Sequence, residues 1–315
     1  MPADTTSVRH GDTGHRYGPT EWALTATIAL TWGASFLFIA VAIDHVATQV
    51  VPLGRLAFGA LALALIPAAR GRIGREDLGR FIVLGVVSMT IPFHLYPLAE
   101  HTVSSSVTGM INGSIPVTTV VVTAVLARSL PSRQRVMAVL IGFTGIAFIS
   151  FSSIGGEDNA ASVHGVALLI LATCCYAATA GLSRELQVKY GTLRTMMWAE
   201  IIALVASLPF GLPALAQSSF SWEALGALFM LGTFGTGFAY LVYGTLIVRA
   251  GTVRGMIGVF FTPVVATLLG VLVRDERISM IAVAGMFVVI LGAWLTSKPD
   301  MRSVAAGKKL PPRAA

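Results

Sequence analysis

Residues 109–126, GMINGSIPVTTVVVTAVL, and residues 256–273, MIGVFFTPVVATLLGVLV, decide what kind of chain this is. Each is a long apolar run with a proline at its eighth position, and Pro116 and Pro263 stand 147 residues apart. At the same offset Gly85 falls on Gly232, Gly145 on Gly292, Tyr96 on Tyr243 and aromatic Phe93 on aromatic Tyr240. A slightly shorter offset of 144 pairs Trp32 with Tyr176 and Ser35 with Thr179. Self-similarity at a fixed spacing marks a duplicated unit, so the second half is expected to be a weak copy of the first.

Composition places these units in a membrane. The chain has 315 residues, 55% of them hydrophobic and 12% charged, with a mean hydropathy of +0.78. Ordinary soluble domains carry about 25% charged residues, so a conventional cytosolic enzyme is excluded. Runs able to cross about 30 Å of hydrocarbon fall at 21–43, 48–68, 79–99, 103–126, 134–151, 163–183, 194–213, 222–248, 253–273 and 278–297. They predict an all-α integral membrane protein with ten transmembrane helices. Two five-helix repeats, 21–151 and 163–297, are expected around an external linker at 152–162. The polar tails, 1–20 and 298–315, read as disordered cytoplasmic segments, and the first lacks the apolar core of a signal peptide. No room remains for a soluble domain.

A net charge of +7 and a pI near 9.8 would suit a nucleic-acid partner if the basic residues formed one patch. Instead they lie between the apolar runs. Cytoplasmic loops collect Lys and Arg. With the N-terminus inside, the inner face receives Arg9 and Arg16, then Arg70, Arg72, Arg75 and Arg80, then Arg128, Arg133 and Arg135. It also receives Arg184, Lys189 and Arg194, Arg249 and Arg254, and the tail residues Lys298, Arg302, Lys308, Lys309 and Arg313. The outer face has Arg274 and Arg277, and Arg55 lies within a span. The expected topology is multi-pass in the cell (inner or plasma) membrane, both termini cytoplasmic, with no nucleic-acid partner.

Five is an odd number of crossings, so the second repeat must enter the bilayer upside down relative to the first. The loops agree: ARSLPSRQR at 127–135 is basic, whereas VRDERIS at 273–279 balances two arginines against Asp275 and Glu276. Inverted repeats are characteristic of alternating-access carriers, whose substrate site lies near the midplane between the repeats.

The residues also carry a family pattern. TWGASFLF at 31–38, INGSIPVTTVVVTAVL at 111–126 and FFTPVVATLLGVLVRDERIS at 260–279 resemble the drug/metabolite transporter superfamily, in its EamA-type branch of two five-helix repeats. The resemblance runs from Glu21 to Thr296. It implies transport without naming a substrate, since members move amino acids, sugars, nucleotide precursors, polyamines or drugs. The family often carries an acid just after the proline-containing helix of each half. Glu276 matches it, and Ser129 stands at the aligned position of the first half.

Several side chains are candidates for the mechanism. A proline inside a span lacks a donor and clashes with the carbonyl four residues earlier, so Pro116 and Pro263 are either helix hinges or packing kinks. The pairs Phe93 with Tyr96 and Tyr240 with Tyr243 each share a helix face. With Trp32, Tyr176 and Asn112 they are candidates for a substrate-binding wall, against the alternative of an interfacial aromatic belt. Arg55 lies about 10 Å inside its span, where a charge costs about 2.5–3.5 kcal/mol. Either it snorkels towards Asp44, or it faces the bundle and binds a substrate carboxylate. Glu200 and His94 are coupling candidates, because a titratable group inside a span can load and unload a proton.

Cys174 and Cys175 are adjacent and build neither a disulfide framework nor a zinc site, and the six histidines have no metal-ligand spacing. GTVRG at 251–255 reads as a turn, since no Walker lysine follows it. No cofactor, metal or enzymatic activity is expected. The expected function is secondary transport: export of a small metabolite, an amino acid or a related amphipathic compound, by alternating access. A lipid-modifying membrane enzyme and a passive channel are the alternatives. The expected partners are a small-molecule substrate and the lipid bilayer, with protons and a second copy of the chain left open.

Overall fold

The structure, a computed structural model, describes residues 18–154, 163–250 and 257–296. The tails, most of the linker between the halves and the GTVRG turn lie outside the described residues. Among those described there is no strand, and each expected span appears as helix. The first repeat comprises α1 (Pro19–Ile43), α2 (Val50–Ala64), α3 (Arg75–Glu100), α4 (Ser105–Asn112, then Ile115–Leu126) and α5 (Arg133–Ile154). The second comprises α6 (Val163–Tyr190), α7 (Thr192–Leu215), α8 (Trp222–Ala250), α9 (Ile257–Arg274) and α10 (Met280–Thr296). Eight have the length and hydropathy of a crossing, counting bent α4 as one. Helices α2 and α10, with 15 and 17 residues, reach only about 22–26 Å at 1.5 Å per residue.

Local sequence sets the helix ends. Pro19 opens α1, where its missing N–H is an orphan anyway, and Glu21 reaches back to accept from Gly18 N at 3.0 Å. Ser104 and Ser221 start α4 and α8, accepting from Val107 N at 3.3 Å and Ala224 N at 3.1 Å. The middle of α4 breaks at Gly113 and Ser114, and its two halves are bent by 46°.

The duplication is visible in the packing. A side-chain carbon built on Gly145 would lie 2.6 Å from Val289 N and 2.7 Å from Gly285 O. One built on Gly292 would lie 2.6 Å from Gly142 N and 3.0 Å from Ala138 O. Displacing 138, 142 and 145 by 147 gives 285, 289 and 292, so each contact is the image of the other, and α5 and α10 run antiparallel. Small residues at such a crossing bring the backbones together where no hydrophobic effect operates between helices.

Helices α3 and α8 repeat the pattern. Gly85 sits against Ala199 O and Ile202 of α7, and Gly232 against Arg55 O and Phe58 of α2. Positions 55 and 58 become 199 and 202 at the offset of 144. Both helices loosen into a π-turn at the matching place, Val86–Thr90 and Met230–Phe238. There Thr90 and Thr236 hydroxyls donate five residues back, to Gly85 O at 3.3 Å and Leu231 O at 3.0 Å. Even Ser35 and Thr179 make one bond twice, donating to Thr31 O and Cys175 O at 2.9 Å each. Matched helices that run antiparallel are what inverted repeats require.

Candidate substrate site

The central polar group is Arg55 on α2. Its Nε donates to Thr236 Oγ1 of α8 at 3.1 Å, and its guanidinium carbon stands 3.8 Å from the centre of the Phe93 ring of α3. The π-turn places Thr236 to receive it, and the ring face attracts the cation. Arg55 therefore faces the bundle. Asp44 is taken instead by Arg274 at the end of α9. Among the described residues the terminal nitrogens of Arg55 form no hydrogen bond, which leaves the fork available to a ligand.

Further aromatic rings meet in two matched groups. Trp32 of α1 stands 5.2 Å from Tyr243 and 6.4 Å from Tyr240 of α8. Its repeat partner Tyr176 of α6 stands 6.4 Å from Tyr96 of α3, which also meets Phe36 at 5.8 Å. Tyr96 donates its hydroxyl to Asn112 Oδ1 at 2.5 Å, tying α3 to the last turn before the α4 break. Phe93 and Tyr96 are buried, whereas Trp32, Tyr176, Tyr240 and Tyr243 keep part of their surface open. These eight residues thus gather around the interface of the two repeats.

Glu200 of α7 is 0% exposed, and neither carboxyl oxygen has a hydrogen-bond partner among the described residues. A side-chain carbon on Gly59 of α2 would lie 2.7 Å from its Oε2, so the glycine makes the space it occupies. Arg55 and Tyr240 are within electrostatic reach of it. An unpartnered charge in such surroundings is costly, so the site calls for a proton or a cation there. His94 follows Phe93 on α3 and meets α7. Its Nδ1 bonds Thr90 O at 2.8 Å, its Nε2 is buried without a partner, and its ring meets Phe210 of α7 at 5.7 Å. Among the described residues no group of three or more His, Cys, Asp or Glu side chains is placed to hold a metal.

Pro116 and Pro263 differ in setting. Pro116 stands in the first turn of the second half of α4, just after the break, where it needs no donor. Pro263 lies inside the unbroken α9, its ring against Gly113. Three further groups were missed by the sequence reading. Thr236 matches Met89 in the first repeat, so the duplication gave no signal for it. Glu100, half-buried at the end of α3 with both carboxyl oxygens buried and without a partner among the described residues, is legible only as an acid at a span end. The partners of Glu276, Ser105 and Ser106, are 171 and 170 residues away in sequence.

Known proteins carry the same architecture. A transporter from Archaeoglobus fulgidus, described as uncharacterized, is 23% identical over 275 residues, covering 87% of this chain and 98% of its own. The uncharacterized transporter YoaV of Bacillus subtilis is 21% identical over 279 residues, covering 86% and 94%. A solved structure titled only as the crystal structure of a protein shares the fold, with a TM-score of 0.59 at 17% identity over 88% of this chain and 96% of that one. The family model for EamA-like transporters matches twice, at residues 21–151 and 163–298, so this multi-pass membrane chain is a transporter of the EamA-like family.

Proposed function

We propose that this transporter is a secondary carrier of the cell membrane that exports a small amphipathic metabolite, an amino acid or a related compound, by alternating access between its inverted repeats. The observation that carries the reading is Arg55, a permanent cation inside the bundle with its terminal nitrogens free among the described residues and the Phe93 ring against it. A guanidinium fork grips a carboxylate in two places, and the rings of Trp32, Tyr176 and Tyr240 suit the apolar remainder of the ligand. The position between the repeats is where such carriers bind. The loops rich in arginine support cytoplasmic termini. Glu200, buried in the bundle without a partner among the described residues, is favoured as the proton-coupling group over His94, whose ring meets Phe210.

Proteoliposomes loaded with a mixture of amino acids, polyamines, sugars and nucleosides test this directly. Protein-dependent exit of a carboxylate-bearing class, faster with a proton gradient and showing counterflow, is the expected result. Exit of cations or neutral sugars alone would overturn the Arg55 assignment, and ionic conductance without saturation would point to a channel.

A further inference from the structure

Helices α4 and α9 are copies of each other, and they meet closely at one end. The first half of α4 lies on α9, with Gly109 against Ala266 and Gly113 against the Pro263 ring. After the 46° bend, the second half packs, among the described residues, mainly against α5, α6 and α10. The pair is therefore shut at the end poor in arginine, where α4 begins and α9 finishes.

The shut end has a fastener. Glu276, just beyond α9, accepts from the backbone N–H of Ser105 at 2.9 Å and of Ser106 at 3.0 Å. It accepts from the Ser105 hydroxyl at 2.7 Å and from the Ser106 hydroxyl as well. The two amides are orphan donors at the start of α4, the positive end of its dipole, and a carboxylate there is held by charge as well as by four bonds. Gly270 lets α9 close on this cluster, since a side chain there would strike both the Ser106 hydroxyl and the Glu276 carboxylate. Beside it Arg274 ties α9 to Asp44 at the end of α1. The repeat positions of Ser105, Ser106 and Glu276 are Thr252, Val253 and Ser129, so the sequence supplies no second carboxylate for the opposite end.

We propose that Glu276 is the gating residue of the arginine-poor end: its carboxylate closes α4 onto α9 and makes the carrier rest shut on that side. The proposal rests on the carrier reading above. Opening the arginine-poor end requires the carboxylate to leave two amides and two hydroxyls, which gives that step a barrier.

The test uses Met110, fully buried in the closed half of α4, as a reporter. Cys174 and Cys175 are replaced by alanine, Met110→Cys is introduced, and a membrane-impermeant thiol reagent is applied from the arginine-poor face. Slow labelling is expected for this parent. Glu276→Ala should raise the rate about tenfold or more, since one charge-assisted hydrogen bond is worth that much. The double change Ser105→Ala, Ser106→Ala should raise it less, because the amide donors remain. A parent labelled rapidly from that face, or folded variants labelled no faster than the parent, overturns the gate. If Glu276→Ala does not fold, the double serine variant decides. Faster labelling without any solute movement would support the gate and sink the carrier reading instead.

Discussion

Helix α5 meets α10, and α4 meets α9, across the same boundary between repeats, and the two contacts differ in kind. At the α5–α10 crossing Gly145 and Gly292 make mirrored contacts with backbone atoms. At α4–α9 the first half of α4 makes the close contact, a break with glycine and serine separates its halves, and a carboxylate fastens one end. In the proposed carrier, a contact that is its own image has no preferred side and would serve as a fixed axis. A contact fastened at one end would take two forms, one for each side, and be the part that moves.

The largest expected effect breaks the fixed side of this comparison. Gly145→Leu or Gly292→Leu would drive a side chain into backbone atoms 2.6 Å away, with no flexible group to yield. Overpacking costs about 1–3 kcal/mol and occasionally more, and rigid backbone on the receiving side puts these variants at the upper end, so the yield of folded protein should fall sharply, as read by gel filtration in detergent. Gly226→Leu on α8, with nothing within 4 Å, should leave yield unchanged. Normal folding of both axis variants would mean that α5 and α10 do not form the axis.

Next in size is the cation. Arg55→Leu removes the cation that faces the Phe93 ring and should cut transport of a carboxylate substrate about ten- to a hundredfold, the worth of a charge-assisted bond. Arg55→Lys keeps the charge but not the fork and should fall between. Uptake by the leucine variant at the parent rate would remove Arg55 from the substrate site.

How much of this was legible beforehand follows from what a sequence can encode. The offset of 147 residues pairs glycines and prolines because close crossings tolerate few residue types, so the axis and the inversion were readable. The shorter offset of 144 also matched Trp32 with Tyr176, and the structure gives both an aromatic neighbour at matched positions. It could not reveal that Pro116 adjoins a break while Pro263 does not. The neighbouring Gly113 and Ser114 make that difference, and symmetry alone predicts equality. Arg55 was ambiguous for a related reason. Its depth was readable, but the choice between Asp44 and the interior depended on Arg274, which arrives from the other repeat and takes Asp44. The Glu276 fastening joins residues more than half the chain apart, and no local pattern announces it.

A smaller change sharpens the coupling assignment. Glu200→Gln should keep substrate binding and abolish the dependence of transport on a proton gradient, because an amide has no proton to exchange at that site. His94→Gln should leave the gradient dependence intact, as its ring faces Phe210, a residue 59% exposed at the bundle surface. Efflux rates measured with and without an imposed gradient read both. Unchanged gradient dependence in Glu200→Gln would withdraw the coupling role from that carboxyl.

The finest test asks whether the substrate itself lies on the axis. Trp32 and Tyr176 are repeat partners on α1 and α6, each next to a tyrosine of α3 or α8. A ligand centred between the repeats touches both walls, so Trp32→Ala and Tyr176→Ala should each weaken apparent affinity by a similar factor, about two- to tenfold for one aromatic contact. The double variant should approach the product of the two, since the rings stand on opposite walls and share no direct contact. A ligand held against the Arg55 wall alone would feel one loss and ignore the other. Unequal single effects would therefore leave the fold symmetric and make the site asymmetric, with Arg55, which has only Ala199 as its repeat partner, as the reason for the displacement.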